Sequence, residues 1–312
     1  MKVIFNYKKD YRTKEPSAIA LGTFDGIHLG HRRLIKELME KKAEYGYQTI
    51  VYTFINHPLQ LLMPGKEPSN ILLLRERIQE FKKLGIDVLV LNSFDYSFSQ
   101  QSPDEFITQL TQSIPVKTLI VGFNFRFGHK AAGDVDYLKK ISEKANFDLI
   151  CVPPVKKNNQ IVSSSLIRKR VMDGSVAKAA HLLTRPYYIR GKVIHGFGRG
   201  KELGFPTANL SFSSKKVLPK NGVYLTRCKL QNKFYWGLTN VGMNPTFLND
   251  IIQIETFLLD FCKDIYGENL EIQFIDWIRE EKHFETPQDL SYQIKKDWIK
   301  AKKLIYKDYS LC

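Results

Sequence analysis

The stretch Ala20-Leu21-Gly22-Thr23-Phe24-Asp25-Gly26-Ile27-His28-Leu29-Gly30-His31 constrains the fold of this chain more than any other. It follows an apolar run and leads into a helical pattern over residues 32–45. There Ile35, Leu38 and Met39 fall on one face at a spacing near 3.6. Gly46 stands where a left-handed C-cap stops a helix. The order is therefore strand, glycine-rich turn, helix N-terminus. Backbone N–H groups and the helix dipole converge at such a place and suit a phosphate. The glycines permit close backbone approach. His28 and His31 stand three apart at the helix start and point the same way. Imidazole can donate to phosphate oxygens and stabilise charge that develops on a transferring phosphate.

The same alternation continues downstream. Gln48 to Phe54 reads as a strand that ends at Asn56-His57-Pro58, leaving His57 either a ligand at the sheet's C-terminal edge or a plain loop residue. Leu72 to Leu84 reads as a helix closed by Gly85, and Asp87 to Leu91 as a strand. Ser102-Pro103-Asp104-Glu105 joins an N-cap, Pro at N1 and Glu at N3, so a helix begins there. Thr118 to Val121 and Phe147 to Val152 read as further strands. Strands alternating with helices across short loops predict a doubly wound, Rossmann-like parallel sheet over residues 1–183.

Two further segments of this first domain suggest ligand contacts. In Gly122-Phe123-Asn124-Phe125-Arg126-Phe127-Gly128, aromatics alternate with polar residues, which fits a binding loop and equally a loop anchored by its Phe residues. In Val162-Ser163-Ser164-Ser165-Leu166-Ile167-Arg168, hydroxyls at a helix start stand close to an arginine. That makes a second anion site, or simply an N-cap and linker. Gly174 and Ser175 are expected to end one short helix and cap the next, which runs through Leu183.

From Tyr187 the pattern changes to short β-rich runs at 188–195, 222–230, 233–241, 253–261 and 270–278. They predict a small antiparallel β-barrel over residues 184–312. Thr286-Pro287-Gln288-Asp289 caps a final helix whose Leu290, Ile294, Trp298 and Leu304 are expected against the barrel. A glycine-rich loop with Gly196, Gly198, Arg199, Gly200 and Lys201 can wrap phosphates. Thr207 and Asn209 alternate on one face of an extended segment, so both could reach Mg²⁺ and its phosphates. Glu255, polar within a β-rich apolar run, fits a solvent-facing strand position or a base that accepts a hydroxyl proton.

The formal net charge of +15 suits anionic partners such as nucleotides, while the positive residues are spread as on a solvated surface and no nucleic-acid-binding motif is visible. The four cysteines are scattered without a Cys-x-x-Cys pair, so neither a zinc site nor a disulfide frame is expected. No run of eighteen apolar residues predicts a membrane helix, and residues 1–7 lack the long apolar region of a signal peptide. A cytoplasmic location is expected.

These motifs resemble, in order and over nearly the whole chain, the bacterial riboflavin kinase/FMN adenylyltransferase (FAD synthetase) family. The first motif resembles that family's Gly-x-Phe-Asp-Gly-x-His-x-Gly-His signature, and Ser163 to Arg168 its Ile-Ser-Ser-Thr-x-Ile-Arg motif, with Ser165 for the threonine. Pro206-Thr207-Ala208-Asn209, Asn240-Val241-Gly242-Met243-Asn244-Pro245-Thr246-Phe247 and Glu255 to Phe261 resemble its riboflavin kinase module. The resemblance implies two reactions: ATP-dependent phosphorylation of riboflavin to FMN, then adenylylation of FMN by ATP to FAD and pyrophosphate. It implies that His28 and His31 contact the ATP phosphates and that Gly22, Phe24 and Asp25 build the nucleotide turn. Asn124 falls on the flavin or adenylate side, and Ser163, Ser164 and Arg168 hold phosphates opposite. In the barrel it implies Glu255 as base, Thr207 and Asn209 as Mg-ATP ligands, and Arg279 near the flavin. The implied partners are ATP, riboflavin and FMN, with Mg²⁺ accompanying ATP; no specific nucleic acid and no membrane is expected, and self-association is left open.

Three positions depart from the family pattern. Thr256-Phe257 stands where many members have Val-His, Lys130 to Ala132 lacks an arginine, and Thr184 replaces a glycine. The alternative is a monofunctional FMN adenylyltransferase whose barrel is weak or inactive.

Overall fold

A computed structural model describes residues 1–6, 12–196, 205–246 and 249–308. The chain divides into two compact units, Met1–Ser164 and Ser165–Cys312.

In chain order, the first unit contains β1 (Lys2–Phe5), β2 (Ser17–Leu21), α1 (Leu29–Tyr45), β3 (Gln48–Phe54), α2 (Leu59–Leu62), α3 (Leu74–Lys83), β4 (Val88–Asn92), α4 (Tyr96–Ser99), α5 (Pro103–Ser113), β5 (Val116–Gly122), α6 (Val135–Ala145) and β6 (Asp148–Val152). A short hairpin, β7 (Lys156–Lys157) and β8 (Gln160–Ile161), follows. The described strands β1 to β6 form one parallel sheet in the order β1-β4-β3-β2-β5-β6. Strands β2 and β4 are buried at every position, as parallel strands covered on both faces must be. The chain runs outward from β2 through β3 and β4, then returns to place β5 on the other side of β2. The turns after β2 and β5 therefore meet at the switch point, where open α/β sheets take their ligands.

The helix ends follow the local chemistry. Gly46 closes α1 at φ 69°, its N–H donating to the Lys42 carbonyl. Ser102 and Glu105 form a reciprocal capping box on α5, with Pro103 at the first turn. Strand β1 was not legible in the sequence; it adds a short edge beside β4. Helix α1 begins at Leu29 rather than Arg32, which makes His28 its N-cap and puts Gly30 and His31 in its first turn.

The second unit begins along α7 (Ser164–Met172) and continues through α8 (Val176–Leu183), β9 (Tyr187–Ile194), β10 (Thr207–Ser211), β11 (Gly222–Leu230), β12 (Lys233–Thr246), β13 (Asn249–Leu258), β14 (Asn269–Arg279) and α9 (Pro287–Asp308). The described strands close into an antiparallel barrel in the order β10-β13-β12-β11-β14-β9. Closure leaves no unpaired edge. Thr226, Thr239 and Thr256 are fully buried and joined hydroxyl to hydroxyl across β11, β12 and β13, at 2.7 and 2.8 Å. Helix α9 covers the opposite face of β11 and β12, together with β14. Its Ala301, with Ile294, Trp298, Leu304 and Ile305, packs on Val223, Leu225, Leu238, Ile275 and Ile278. Leu290, also expected there, is half-buried and not part of that cluster. Ser175 takes the N-cap position of α8 without a side-chain hydrogen bond, so the expected cap contributes backbone geometry only. Thr184 ends α8 at φ 61° in the left-handed region, where a β-branched residue is strained. The glycine expected from the family pattern would relieve that strain.

Candidate active sites

The first site is built on the turn between β2 and α1. Phe24 (φ 51°) and Ile27 (φ 45°) adopt left-handed backbone and bury their side chains completely. The Phe24 ring lies 5.1 Å from the His31 ring and 5.5 Å, edge-on, from that of Phe81. It also crowds Gly22, where an added Cβ would stand 3.1 Å from it. The Asp25 carboxylate accepts N–H donation from Ile71 and Leu72, at 3.1 and 3.2 Å. In this arrangement Asp25 holds the turn to the segment before α3.

His28 accepts at Nδ1 from the backbone N–H of His31, 3.3 Å away. A neutral His28 ring so bonded carries its proton on Nε2, which makes it a donor. The two imidazoles stack at 3.7 Å with a 16° interplanar angle. Gly30 is what allows this: a Cβ there would meet the His28 ring at 3.1 Å. His31 Nδ1 is buried without a hydrogen-bond partner. Burial, then the neighbouring His28, then Arg77 hold the His31 pKa well below the ordinary imidazole value, so the ring is neutral at physiological pH. A stacked imidazole pair with a buried, unpartnered nitrogen at a helix N-terminus is suited to an anionic ligand.

The serine run reaches the same turn. Ser164 Oγ donates to the Asp25 carbonyl at 2.8 Å, joining two motifs 139 residues apart. Ser163 precedes α7, and Arg168 stands half-buried on it. After β5, Phe125 and Phe127 stack at 5.5 Å and pack on the sheet's core, while Phe123, Asn124 and Arg126 are exposed. The loop thus combines both sequence readings: its Phe pair anchors it and its polar positions face outward. His57 accepts at Nδ1 from Leu59 N–H at 3.2 Å and so bonds the start of α2.

One important residue went unnoticed in the sequence. Arg77, on α3, is buried and donates to the carbonyls of Thr23 (2.9 Å), Phe54 (2.7 Å) and Ile55 (3.2 Å). The available signal was its place among apolar residues: Leu74, Arg77 and Phe81 share one helix face.

The second site lies on the outward face of the barrel. Antiparallel register sets Asn209 of β10 opposite Glu255 of β13, and Glu255 opposite Asn240 of β12. Directly opposed residues share a face, so the three form a polar row across three strands. One step along, Thr207, Phe257 and Leu238 form the next row. Asn209 is buried, and the Gly196 backbone abuts its amide so closely that a Cβ would overlap it. Phe257 meets Phe205 edge-on at 5.3 Å, so the family's polar position is filled here by an aromatic pair. Arg279, at the end of β14, donates from Nε to both carboxylate oxygens of Asp297 at 3.1 and 2.8 Å, which ties α9 to the barrel. Gly198, Arg199, Gly200 and Lys201 of the expected phosphate loop lie outside the described residues.

Thr207 and Asn209 offer hard oxygen donors. Mg²⁺ takes one or two protein oxygens together with substrate phosphates, so this pair fits the ion. Among the described residues no cluster of three or more His, Cys, Asp or Glu forms a self-sufficient metal cage, and no helix is long and apolar enough to cross a membrane.

Comparison with known proteins covers both halves of the chain. Residues 10–166 match the FAD synthetase family model and residues 183–305 the riboflavin kinase family model. The bifunctional riboflavin kinase/FMN adenylyltransferase of Buchnera aphidicola is 34% identical over 97% of this chain and 98% of its own. Its Bacillus subtilis namesake is 35% identical over 90% of each chain. A crystal structure titled as a macrolide-efflux protein of Streptococcus pneumoniae superposes with a TM-score of 0.90 at 31% identity, over 99% of this chain and all of the other. With both family models matched in order, and relatives aligned over nearly their full lengths, the chain belongs to the bifunctional riboflavin kinase/FMN adenylyltransferase family.

Proposed function

We propose that this protein phosphorylates riboflavin to FMN at the barrel and adenylylates FMN to FAD at the glycine turn, using ATP for both steps. The observation that carries the first reaction is the register that sets Asn209 opposite Glu255. Glu255 takes the proton of the ribityl hydroxyl as that oxygen attacks the γ-phosphorus of ATP, and ADP leaves. Thr207 and Asn209 would hold the Mg²⁺ that accompanies ATP, which would supply charge neutralisation at the phosphates. Arg279, braced by Asp297, borders the flavin.

In the first unit an FMN phosphate oxygen attacks the α-phosphorus of ATP and pyrophosphate leaves. His28 donates from Nε2 to the phosphate oxygens, with His31 beside it. Ser163, Ser164 and Arg168 contact the phosphates from the opposite side, and Asn124 contacts flavin or adenylate. The step needs no covalent intermediate, since positioning and charge stabilisation suffice. We draw the functional division at residues 1–183 and 184–312, because Arg168 serves the first reaction. Gly198 and Gly200 belong to the kinase phosphate loop. A cytoplasmic location, and no specific nucleic-acid partner, follow from this reading.

Two substitutions test the assignment. His31→Ala abolishes FAD formation and spares FMN formation; Glu255→Ala does the reverse. Loss of both activities in either folded variant would contradict two separate sites.

A further inference from the structure

The turn that carries His28 needs an anchor, because its backbone is in left-handed conformations at Phe24 and Ile27, which cost free energy unless the surroundings hold them. Two anchors come from the segment around α3. The N–H groups of Ile71 and Leu72 hold the Asp25 carboxylate, and the Arg77 guanidinium takes the Thr23 carbonyl. The same guanidinium reaches Phe54, the last residue of β3, and Ile55 beyond it. Thr53 Oγ1 adds a second donor to the Thr23 carbonyl at 3.0 Å. Arg77 Nε, though buried, has no hydrogen-bond partner.

We propose that Arg77 is a positioning residue of the adenylyl-transfer site: its guanidinium locks the turn that presents His28 to the C-terminal ends of β2 and β3. This rests on the reading of that turn as the site of FAD formation. One cation bridges three carbonyls on two strand ends, so the His28 ring is fixed before ATP arrives. The nearby guanidinium charge also disfavours a protonated His31. Lysine cannot replace this geometry, because a compact ammonium cannot reproduce a planar fork.

The test compares Arg77→Lys, Arg77→Met and Thr53→Val with the parent, in the full-length protein. Rates of FAD formation from FMN and ATP are measured over a range of ATP concentrations, with riboflavin phosphorylation followed in parallel and folding checked by circular dichroism. The expected result is a fall in kcat for FAD formation of at least tenfold in Arg77→Met, with KM for ATP changed less than threefold. Arg77→Lys falls by a smaller factor and Thr53→Val by a few-fold, while riboflavin phosphorylation is retained in all three. That split marks lost transition-state alignment rather than lost binding. If Arg77→Met does not fold, Arg77→Lys decides: parental kcat in Arg77→Lys overturns the proposal. Parental kcat in folded Arg77→Met, or a loss carried by KM alone, also overturns it. A parent protein that makes no FAD sinks the underlying reading and takes the proposal with it, whereas an active parent with unaffected variants sinks the proposal alone.

Discussion

Gly30→Ala separates stability from catalysis at the first site. Gly30 lies in the first turn of α1, and an added Cβ would stand 3.1 Å from Cε1 and 3.2 Å from Nδ1 of His28. Those contacts are too close, so the ring must move by a few tenths of an ångström. It cannot do so freely, since it stacks on His31 at 3.7 Å and accepts the His31 N–H. Moving it weakens the N-cap, which costs about 1 kcal/mol. Against this, alanine is favoured over glycine within a helix by about 0.5–1 kcal/mol. The two effects nearly cancel, leaving at most about 0.5 kcal/mol of destabilisation, so the melting midpoint falls by no more than about 2 °C. Catalysis has no such compensation. A displaced donor misses the transition-state charge, and misplacement on this scale costs about tenfold to a hundredfold in rate. Calorimetry and the rate of FAD formation, read on one preparation, check both halves. Parental FAD formation by Gly30→Ala refutes the claim that the His28 pose matters. A large destabilisation refutes the cancellation.

Two further outcomes follow from the same structure. Thr184→Gly removes a β-branched residue from a left-handed position, which costs about 1–2 kcal/mol, and replaces it with a residue that loses more backbone entropy on folding. The net gain is about 0.5–1 kcal/mol, read as a higher calorimetric midpoint; an unchanged or lower midpoint contradicts it. His31 is held neutral in the fold by burial, by His28 and by Arg77, whereas the unfolded chain protonates it near pH 6.5. Its folded pKa is depressed, so the unfolded state binds the extra proton and stability is lost as pH falls below about 6.5 towards the folded value. A His31→Gln variant therefore loses less stability than the parent between about pH 7.5 and 5.5; equal losses in calorimetry contradict the neutral ring.

Much of the architecture was legible because it is written in local patterns. The Ser102-Pro103-Asp104-Glu105 cap and the Gly46 stop depend on neighbouring residues only, and both stand as read. The change of period at Tyr187 marked the barrel because antiparallel strands alternate. The His28/His31 pair stood out through residue type and spacing, whereas the serine run and Glu255 were singled out only by their resemblance to the family's motifs. What was not legible depends on contacts distant in sequence. Strand β1 is short and becomes a strand only by pairing with β4. Arg77 looks like one more charge in a helix rich in Arg and Glu; its value lies in carbonyls 22 to 54 residues away. Asp25 was expected to help build the turn, but the amides of Ile71 and Leu72 that engage its carboxylate lie 46 and 47 residues away and carry no local signal. The Glu255–Asn240 pairing required the register of β12 on β13, which no local pattern fixes.

The account's central claim is that one chain carries two working sites. The most direct measurement incubates the purified protein with riboflavin, ATP and Mg²⁺ and separates the flavins by chromatography over time, alongside a second tube started from FMN. The account predicts that FMN forms first and FAD follows in the riboflavin tube, and that FAD forms without delay in the FMN tube. FAD in the FMN tube alone would contradict the kinase assignment and make Phe257 the first residue to revert to His. No conversion in either tube would contradict the account as a whole.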